Sequence, residues 1–88
     1  MTIVRAIPQG IIFKKVGEEM VLLDFERGIY YGLNPVGARI WELFADGKSM
    51  DEIVDVLTEE FDVERTDAKK DVEALMDDLV ANGLVSAE

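Results

Sequence analysis

The chain changes its hydrophobic pattern at Asn34-Pro35, and this junction constrains the fold more than any other feature. Residues 29–33, directly before it, are rich in branched and aromatic side chains, which is typical of a β-strand. Apolar residues after it recur at the spacing of an amphipathic helix. Asn34 is a good N-cap because its side-chain oxygen can accept from free helix amides, and Pro35 suits the first helical position. The sequence therefore predicts a strand joined directly to a helix.

Three strands are predicted before this junction. Each is a short run of mainly apolar or branched residues that ends at a turn or at the junction itself: residues 11–16, 20–25 and 29–33. Residues 3–7 also alternate loosely between apolar and other side chains before Pro8 interrupts them. The first third of the chain is therefore predicted to be a small β-sheet.

Two helices with clear end signals follow. The first is predicted from Pro35 to about Ala45, where Gly47 can adopt the left-handed conformation that ends a helix. The second begins at a capping box, in which Ser49 and Glu52 satisfy each other's free backbone amides. Both helices have apolar residues at core spacing: Val36, Ile40, Phe44 and either Trp41 or Leu43 in the first, and Ile53, Val54, Leu57 and Phe61 in the second.

The third helix is predicted between a cap at Thr66 and a stop at Gly83, after which Leu84-Val85 adds a short strand or packs as a tail. Its apolar face is wider than one stripe requires: Ala68, Val72, Leu75, Met76, Leu79 and Val80. This order fits an α+β, winged-helix-like domain, with an N-terminal antiparallel β-sheet of about three strands followed by three α-helices. At 88 residues, we expect a single domain over residues 1–88.

Acidic residues are concentrated in the helical part of the chain. Residues 1–40 carry five basic and four acidic side chains, whereas residues 41–88 carry four and fifteen, for a net charge of −10. The predicted third helix contains two basic side chains, Lys69 and Lys70, and five carboxylates. A winged-helix fold would use this helix to read DNA, but phosphate binding needs cations. We therefore expect no nucleic-acid partner.

Composition also disfavours catalysis. The chain has no histidine and no cysteine, which removes the commonest acid–base group, the thiol nucleophile and common metal ligands. Adjacent carboxylates such as Asp77-Asp78 point about 100° apart on a helix and do not converge. We expect no enzyme activity, no cofactor and no metal. Because no run is long enough to span a membrane and no secretion signal is evident, we also expect a cytoplasmic protein with no membrane partner.

The last predicted strand is the strongest candidate for a binding surface. Successive strand side chains point to opposite faces, so Ile29, Tyr31 and Leu33 share one face, and Tyr30 shares the other with Gly32. If the strand lies at the sheet border, its free main-chain groups can accept another strand. Tyrosine suits interfaces, and glycine would let another backbone approach or would mark a bulge. The alternative is that both tyrosine rings complete the core.

Several short motifs, taken in order, resemble the PqqD-like proteins, which are also called RiPP precursor recognition elements. They are Val21-Leu22-Leu23-Asp24, Gly28-Ile29-Tyr30-Tyr31-Gly32-Leu33-Asn34, Gly37, Ile40-Trp41-Glu42-Leu43, Asp71-Val72, Leu79 and Gly83-Leu84. The resemblance covers nearly the whole chain from about Gly10. It implies a small winged-helix domain without catalysis of its own, which binds the leader of a ribosomally made precursor peptide.

The resemblance also implies where the leader binds. The leader adds as a strand along Gly28, Ile29, Tyr30, Tyr31, Gly32 and Leu33, and its side chains enter a groove beside the third helix. By position, the wall of this groove is Lys69, Val72, Glu73, Met76 and Val80. We also hypothesise that Lys69 or Lys70 attracts an acidic leader residue, near the helix N-terminus. The alternative is a solvated pair that contacts its own helix, such as Lys69 with Glu73.

Within the family, the chain is most similar to the stand-alone leader-binding proteins of lasso-peptide pathways, which present the precursor to a separate leader peptidase. The alternative is a PqqD-type peptide chaperone in pyrroloquinoline quinone synthesis, whose partner is a radical enzyme that uses S-adenosylmethionine. A transcriptional regulator is a third alternative, and the acidic third helix argues against it.

Overall fold

A computed structural model of the chain follows the predicted order of strands and helices, and it describes residues 5–87. Its elements are β1 (Arg5–Ala6), β2 (Ile11–Val16), β3 (Glu19–Asp24), β4 (Ile29–Leu33), α1 (Pro35–Ala45), α2 (Met50–Glu60), α3 (Arg65–Ala81) and β5 (Ser86–Ala87). The three strands β2, β3 and β4 form one antiparallel sheet that precedes three helices. The predicted winged-helix-like α+β fold is therefore confirmed.

The strand β4 lies at an edge of the three-stranded sheet. The sheet order is β2-β3-β4, and β4 pairs with β3 alone among residues 5–87. In this register Tyr31 lies opposite Leu22 and Gly32 lies opposite Val21, without an extra residue on either strand. The glycine therefore marks no bulge, and one side of β4 presents main-chain groups that no other described strand occupies.

The helices cover only one face of this sheet. Met20, Leu22 and Leu33 point to the covered face and are buried. On the opposite face, Ile12 is 51% exposed and Tyr30 is 74% exposed. The alternation predicted for β4 is thus present: Ile29, Tyr31 and Leu33 are at least half-buried, whereas Tyr30 and Gly32 are exposed.

The core lies between the covered sheet face and the three helices. Trp41 is fully buried, and its ring meets Phe13 edge-on with 5.5 Å between centroids. Both Trp41 and Leu43 are buried, although the sequence pattern left them as alternatives. The remaining core residues of the helices and the chain after them are Ala38, Ile40, Ile53, Val54, Leu57, Ala68, Val72, Met76, Leu79, Leu84 and Val85. Each large aliphatic side chain that is fully buried stabilises the fold by about 1.5–3 kcal/mol.

The predicted starts of α1 and α2 are confirmed, and that of α3 is wrong. Ser49 Oγ accepts from the Glu52 amide, and the Glu52 side chain accepts from the Ser49 amide, as a capping box requires. The third helix is not capped by Thr66. Its first turn closes earlier, through a bond from the Ala68 amide to the Glu64 carbonyl, so Thr66 is already helical.

The chain ends meet in a second, two-stranded sheet. Arg5–Ala6 pairs with Ser86–Ala87. The strand predicted over residues 3–7 is therefore present at residues 5–6, and its first two positions lie outside the described residues. Leu84 and Val85 pack in the core, which is one of the two outcomes expected for them, and the short strand β5 follows at residues 86–87 instead. Among residues 5–87, no helix has the length and apolar character that a membrane span requires.

Candidate functional site

A groove of about 400 Å³ lies between the free edge of β4 and α3. Its lining comes from three elements: Tyr31, Gly32 and Leu33 of β4, Asn34, Val36, Gly37 and Ile40 at the start of α1, and Asp71, Ala74, Leu75 and Asp78 of α3. The groove thus combines a strand edge, an apolar section from α1 and a helix wall that carries two carboxylates. A strand added to β4 would have its side chains directed into such a groove at alternate positions.

The two tyrosines of β4 have different roles. Tyr31 is half-buried, packs against the core and lines the groove. Tyr30 lies on the opposite face of the sheet, is 74% exposed and does not contribute to the groove. Of the two tyrosines, only Tyr31 therefore lines the groove.

The junction between β4 and α1 is held by a side-chain cap. The amide of Gly37 donates to Oδ1 of Asn34 at 2.8 Å, and Pro35 occupies the first helical position, as predicted. A Cβ on Gly37 would lie only 3.3 Å from Asn34 Oδ1 and from a methyl group of Leu33. The absence of a side chain at Gly37 therefore allows the cap to approach closely, which fixes the angle between strand and helix beside the groove.

The helix wall differs from the predicted one. Val72 and Met76 are fully buried in the core, so they are not available to a ligand in the groove. Lys69, Glu73 and Val80 are absent from the groove lining. On an α-helix, these three positions lie about 160–180° around the axis from Asp71, which does line the groove.

The residues that line the groove on α3 are Asp71, Ala74, Leu75 and Asp78. They recur at the i, i+3, i+4, i+7 spacing of one helix face. The sequence signal for this face was Leu75, which extends the apolar stripe on one flank, just as Val80 extends it on the other. The prediction selected the flank with Val80, and the structure brings the flank with Leu75 to β4.

The two glycines of the predicted leader-binding segment, Gly28 and Gly32, occupy different environments. Gly28 is not part of β4 but ends the preceding turn, with φ at +66° and its amide bonded to the Asp24 carbonyl at 2.7 Å. A side chain there would be strained, since L-residues rarely adopt this conformation. Gly32 lies within β4, and a Cβ added there would meet no atom within 4 Å. Its lack of a side chain leaves space open at the sheet edge.

A cluster of polar contacts joins the turn before β4 to the end of α3. Asp24 is nearly buried, and its carboxylate accepts from the backbone amides of Glu26 and Arg27 and from Arg27 Nε. The Arg27 guanidinium also donates to the carbonyl of Asn82. The hydrogen bond from the Arg27 side chain is the main cause that holds the pKa of Asp24 below its ordinary value. The two walls of the groove are therefore connected at one end.

The negative charge of Asp78 on α3 acts on Tyr31 across the groove. Burial raises the pKa of the Tyr31 hydroxyl, and the charge of Asp78 on the opposite wall raises it further. The phenol therefore stays protonated and can donate a hydrogen bond. No group of three or more acidic side chains among residues 5–87 is arranged to hold a metal ion.

The edges of the sheet are not equivalent. β2, the other edge strand, carries the exposed pair Lys14 and Lys15, and charged side chains of this kind oppose edge-to-edge pairing. The depression beside it is lined largely by charged or exposed residues of α1, including Arg39, Glu42 and Asp46. The edge of β4 instead faces a groove with apolar residues from α1 and α3. Of the two edges of this three-stranded sheet, the edge of β4 is therefore the better suited to an added strand.

These features define a small winged-helix-like domain with an open strand edge beside a helix-walled groove. The family model described as Coenzyme PQQ synthesis protein D (PqqD) matches residues 19–85. The chain belongs to the PqqD family, as its sequence motifs predicted.

Two solved structures are similar over nearly their whole length. The structure of TbiB1 in complex with the TbiA(beta) leader peptide has a TM-score of 0.85 and 34% identity, over 91% of this chain and 93% of that chain. The structure of lasso peptide synthetase B1 complexed with the leader peptide has a TM-score of 0.85 and 37% identity, over 92% of this chain and 95% of that one. No curated protein sequence matches the chain significantly.

Proposed function

We propose that this protein is a non-catalytic binding protein that captures the leader of a ribosomally made precursor peptide by strand addition to β4. The observation that carries the proposal is the edge of Ile29–Leu33, which no other described strand pairs with and which faces α3 across a partly apolar groove. Its similarity to two proteins solved with leader peptides supports the same function. The leader is expected to form main-chain hydrogen bonds along β4, while alternate side chains enter the groove and provide specificity.

The rigidity of the strand edge supports tight binding of a flexible peptide. β4 is paired with β3 along its full length and is joined without a loop to the capped start of α1. The protein therefore needs little ordering when the leader binds, and the entropic cost falls mainly on the peptide. Specificity then comes from one or two anchor side chains rather than from the whole leader.

Chemistry on the precursor is assigned to a separate enzyme. The chain has no histidine or cysteine, and the two carboxylates of the groove lie about two helical turns apart, too far to act together on one bond. We favour a leader peptidase as the partner, because one of the similar structures is a lasso peptide synthetase B1 with its leader, and the sequence resembles the leader-binding proteins that present precursors to such an enzyme. The matching family description favours, as a second candidate, a peptide chaperone in pyrroloquinoline quinone synthesis that serves a radical enzyme.

Hydrogen exchange tests strand addition directly. Adding the synthetic leader of the cognate precursor should slow the exchange of amides within residues 28–33. Residues 11–16 on the opposite edge of the same sheet are the internal control and should be unaffected. A scrambled peptide of the same composition should protect neither edge. Protection confined to α2, or absent from residues 28–33, would contradict the proposal even if the peptide binds.

Mass spectrometry tests the absence of catalysis. The precursor incubated with this protein alone should keep its mass, and the candidate leader peptidase should cleave it faster when the protein is added. If the protein alone cleaves or modifies the precursor, it is an enzyme. If only a radical enzyme responds to its presence, the second candidate is correct.

A further inference from the structure

Two carboxylates on the α3 wall of the groove have no basic partner among residues 5–87. Asp71 and Asp78 are both exposed and both line the groove. They are seven positions apart in the sequence, which places them about 10 Å apart along the helix axis and on the same face. Leu75 lies between them on this face. The wall therefore presents an apolar centre with a negative charge on either side.

Ion pairs elsewhere in the protein leave these two carboxylates free. Within residues 5–87, the ion pairs are Lys15–Glu42, Arg27–Asp24, Arg39–Glu60 and Arg65–Asp55. Lys69, the basic residue once expected to serve the groove, is about 160° around the helix from Asp71. A groove of this kind attracts cations and repels anions, and it does so within a protein whose net charge is already −10.

The apolar part of the groove lies close to both carboxylates. Val36 and Ile40 of α1 and Leu75 of α3 form a section that can hold an apolar side chain. In an extended peptide, side chains on one face repeat every two residues, at about 6.6–6.8 Å. A peptide that places an apolar anchor in this section therefore brings its next side chains on the same face within reach of Asp71 or Asp78, since lysine and arginine are long.

We propose that the groove selects leaders in which a lysine or arginine lies beside an apolar anchor on the face directed at α3, with Asp71 and Asp78 as the specificity-determining residues. This inference rests on the proposed function, because it assumes that the leader occupies the groove. It reverses the sign of the charge expected from the sequence, where Lys69 or Lys70 was to attract an acidic leader residue.

A displayed library of random 15-residue peptides provides the test. It is selected on the wild-type protein, on Asp71→Asn/Asp78→Asn, and on Glu73→Gln/Asp77→Asn. The second double variant is the matched control, because it removes two carboxylates from the same helix but away from the groove lining. Both variants have the same net charge, so non-specific attraction of basic peptides falls equally in both.

The wild type and the control should enrich peptides with a basic residue at a fixed distance from an apolar anchor. Individual peptides from this pool should bind the Asp71→Asn/Asp78→Asn variant about two- to fivefold more weakly for each lost contact, the strength of an exposed ion pair. Added salt should reduce this difference. Fluorescence of Trp41, the single tryptophan, verifies that each variant is folded.

The outcomes separate this inference from the proposed function. Peptides that protect residues 28–33 from exchange but show no basic preference, or lose it equally in both double variants, would overturn the inference and leave strand addition intact. Enrichment of acidic residues beside the anchor would also overturn it. Failure of every selected peptide to protect residues 28–33 would instead contradict the proposed function.

Discussion

The guanidinium of Arg27 donates a hydrogen bond to the main-chain carbonyl of Asn82, with 2.5 Å between Nη2 and the oxygen, across 55 positions of sequence. Arg27 lies in the turn that leads into β4, and Asn82 is the C-cap of α3. The bond therefore joins the two walls of the groove. Gly83 leaves the space that the guanidinium occupies, because a Cβ at Gly83 would overlap it.

Asp24 supports this contact, and its charge should make stability depend on pH. The pKa of Asp24 lies below its ordinary value of 3.8, chiefly through the hydrogen bond from Arg27. A carboxyl whose pKa is lowered by folding stabilises the protein fully above its unfolded-state pKa, and this contribution is lost as the pH falls below 3.8 toward the folded-state value. Asp24→Asn should thus lower the free energy of unfolding at neutral pH.

Denaturant unfolding followed by Trp41 fluorescence measures this effect. The difference in free energy of unfolding between Asp24→Asn and wild type should narrow once the pH falls below 3.8, because the unfolded chain then gains a proton that the folded carboxyl resists. Asp77→Asn, which removes an exposed carboxylate of α3, serves as the control. A difference for Asp24→Asn that stays constant as the pH falls below 3.8 would show that the charge of Asp24 does not stabilise the fold.

Substitution of the two tyrosines of β4 should affect leader binding to different degrees. Tyr31→Ala should weaken leader binding by about 1–3 kcal/mol, the range of a moderate to strong interface residue. Tyr30→Ala should change it little, because its ring lies on the opposite sheet face. Titration calorimetry with the leader gives both values.

Tyr31 also packs against the core, so its removal affects folding. The stability loss should be smaller than the roughly 3–5 kcal/mol of a fully buried aromatic residue, since Tyr31 is only half-buried. Tyr31→Phe keeps the ring and isolates the hydroxyl. A loss of binding that is equal for Tyr30→Ala and Tyr31→Ala would contradict the assignment of Tyr31 to the groove.

The cap at Asn34 should matter for binding as well as for folding. Asn34→Ala removes the acceptor for the Gly37 amide and should cost about 1 kcal/mol of stability. Because it loosens the junction between β4 and α1, it should also weaken leader binding. Ser49→Ala removes the comparable cap of α2, away from the groove, and is the matched control.

Denaturant melts and calorimetry on these two cap variants distinguish rigidity from stability. Both should lose similar stability, and only Asn34→Ala should lose affinity. If Ser49→Ala weakens leader binding to the same degree, general stability rather than the strand–helix junction determines affinity.

The double variant Lys69→Glu/Lys70→Glu should bind the leader at least as tightly as wild type. Neither lysine lines the groove, and Lys69 lies nearly opposite it on α3. Measuring the dissociation constant at low and at high salt tests this expectation. A large loss of affinity that added salt reduces would restore the hypothesis that these lysines attract the leader.

The features predicted correctly depend on neighbours in the sequence. The start of α1 follows from Asn34 and Pro35, and the start of α2 from the capping box of Ser49 and Glu52, since a cap involves only the first helical turn. The start of α3 was missed because its first turn has no side-chain cap, and Thr66 only resembles one. The alternation of buried and exposed side chains along β4 was also predictable from the sequence, because it reflects the two-residue period of any strand.

The spacing of residues along α3 is enough to identify its apolar positions, but which side of this helix lines the groove is settled only in the folded chain. The buried stripe of α3 has one apolar residue on each flank, Leu75 on one and Val80 on the other. Helical periodicity gives both flanks equal weight. The choice depends on where β4 lies relative to α3, and that position follows from core packing and from the contact of Arg27 with Asn82. Residues so far apart in the sequence leave no local pattern, so the acidic wall of Asp71 and Asp78 is defined only once the chain is folded.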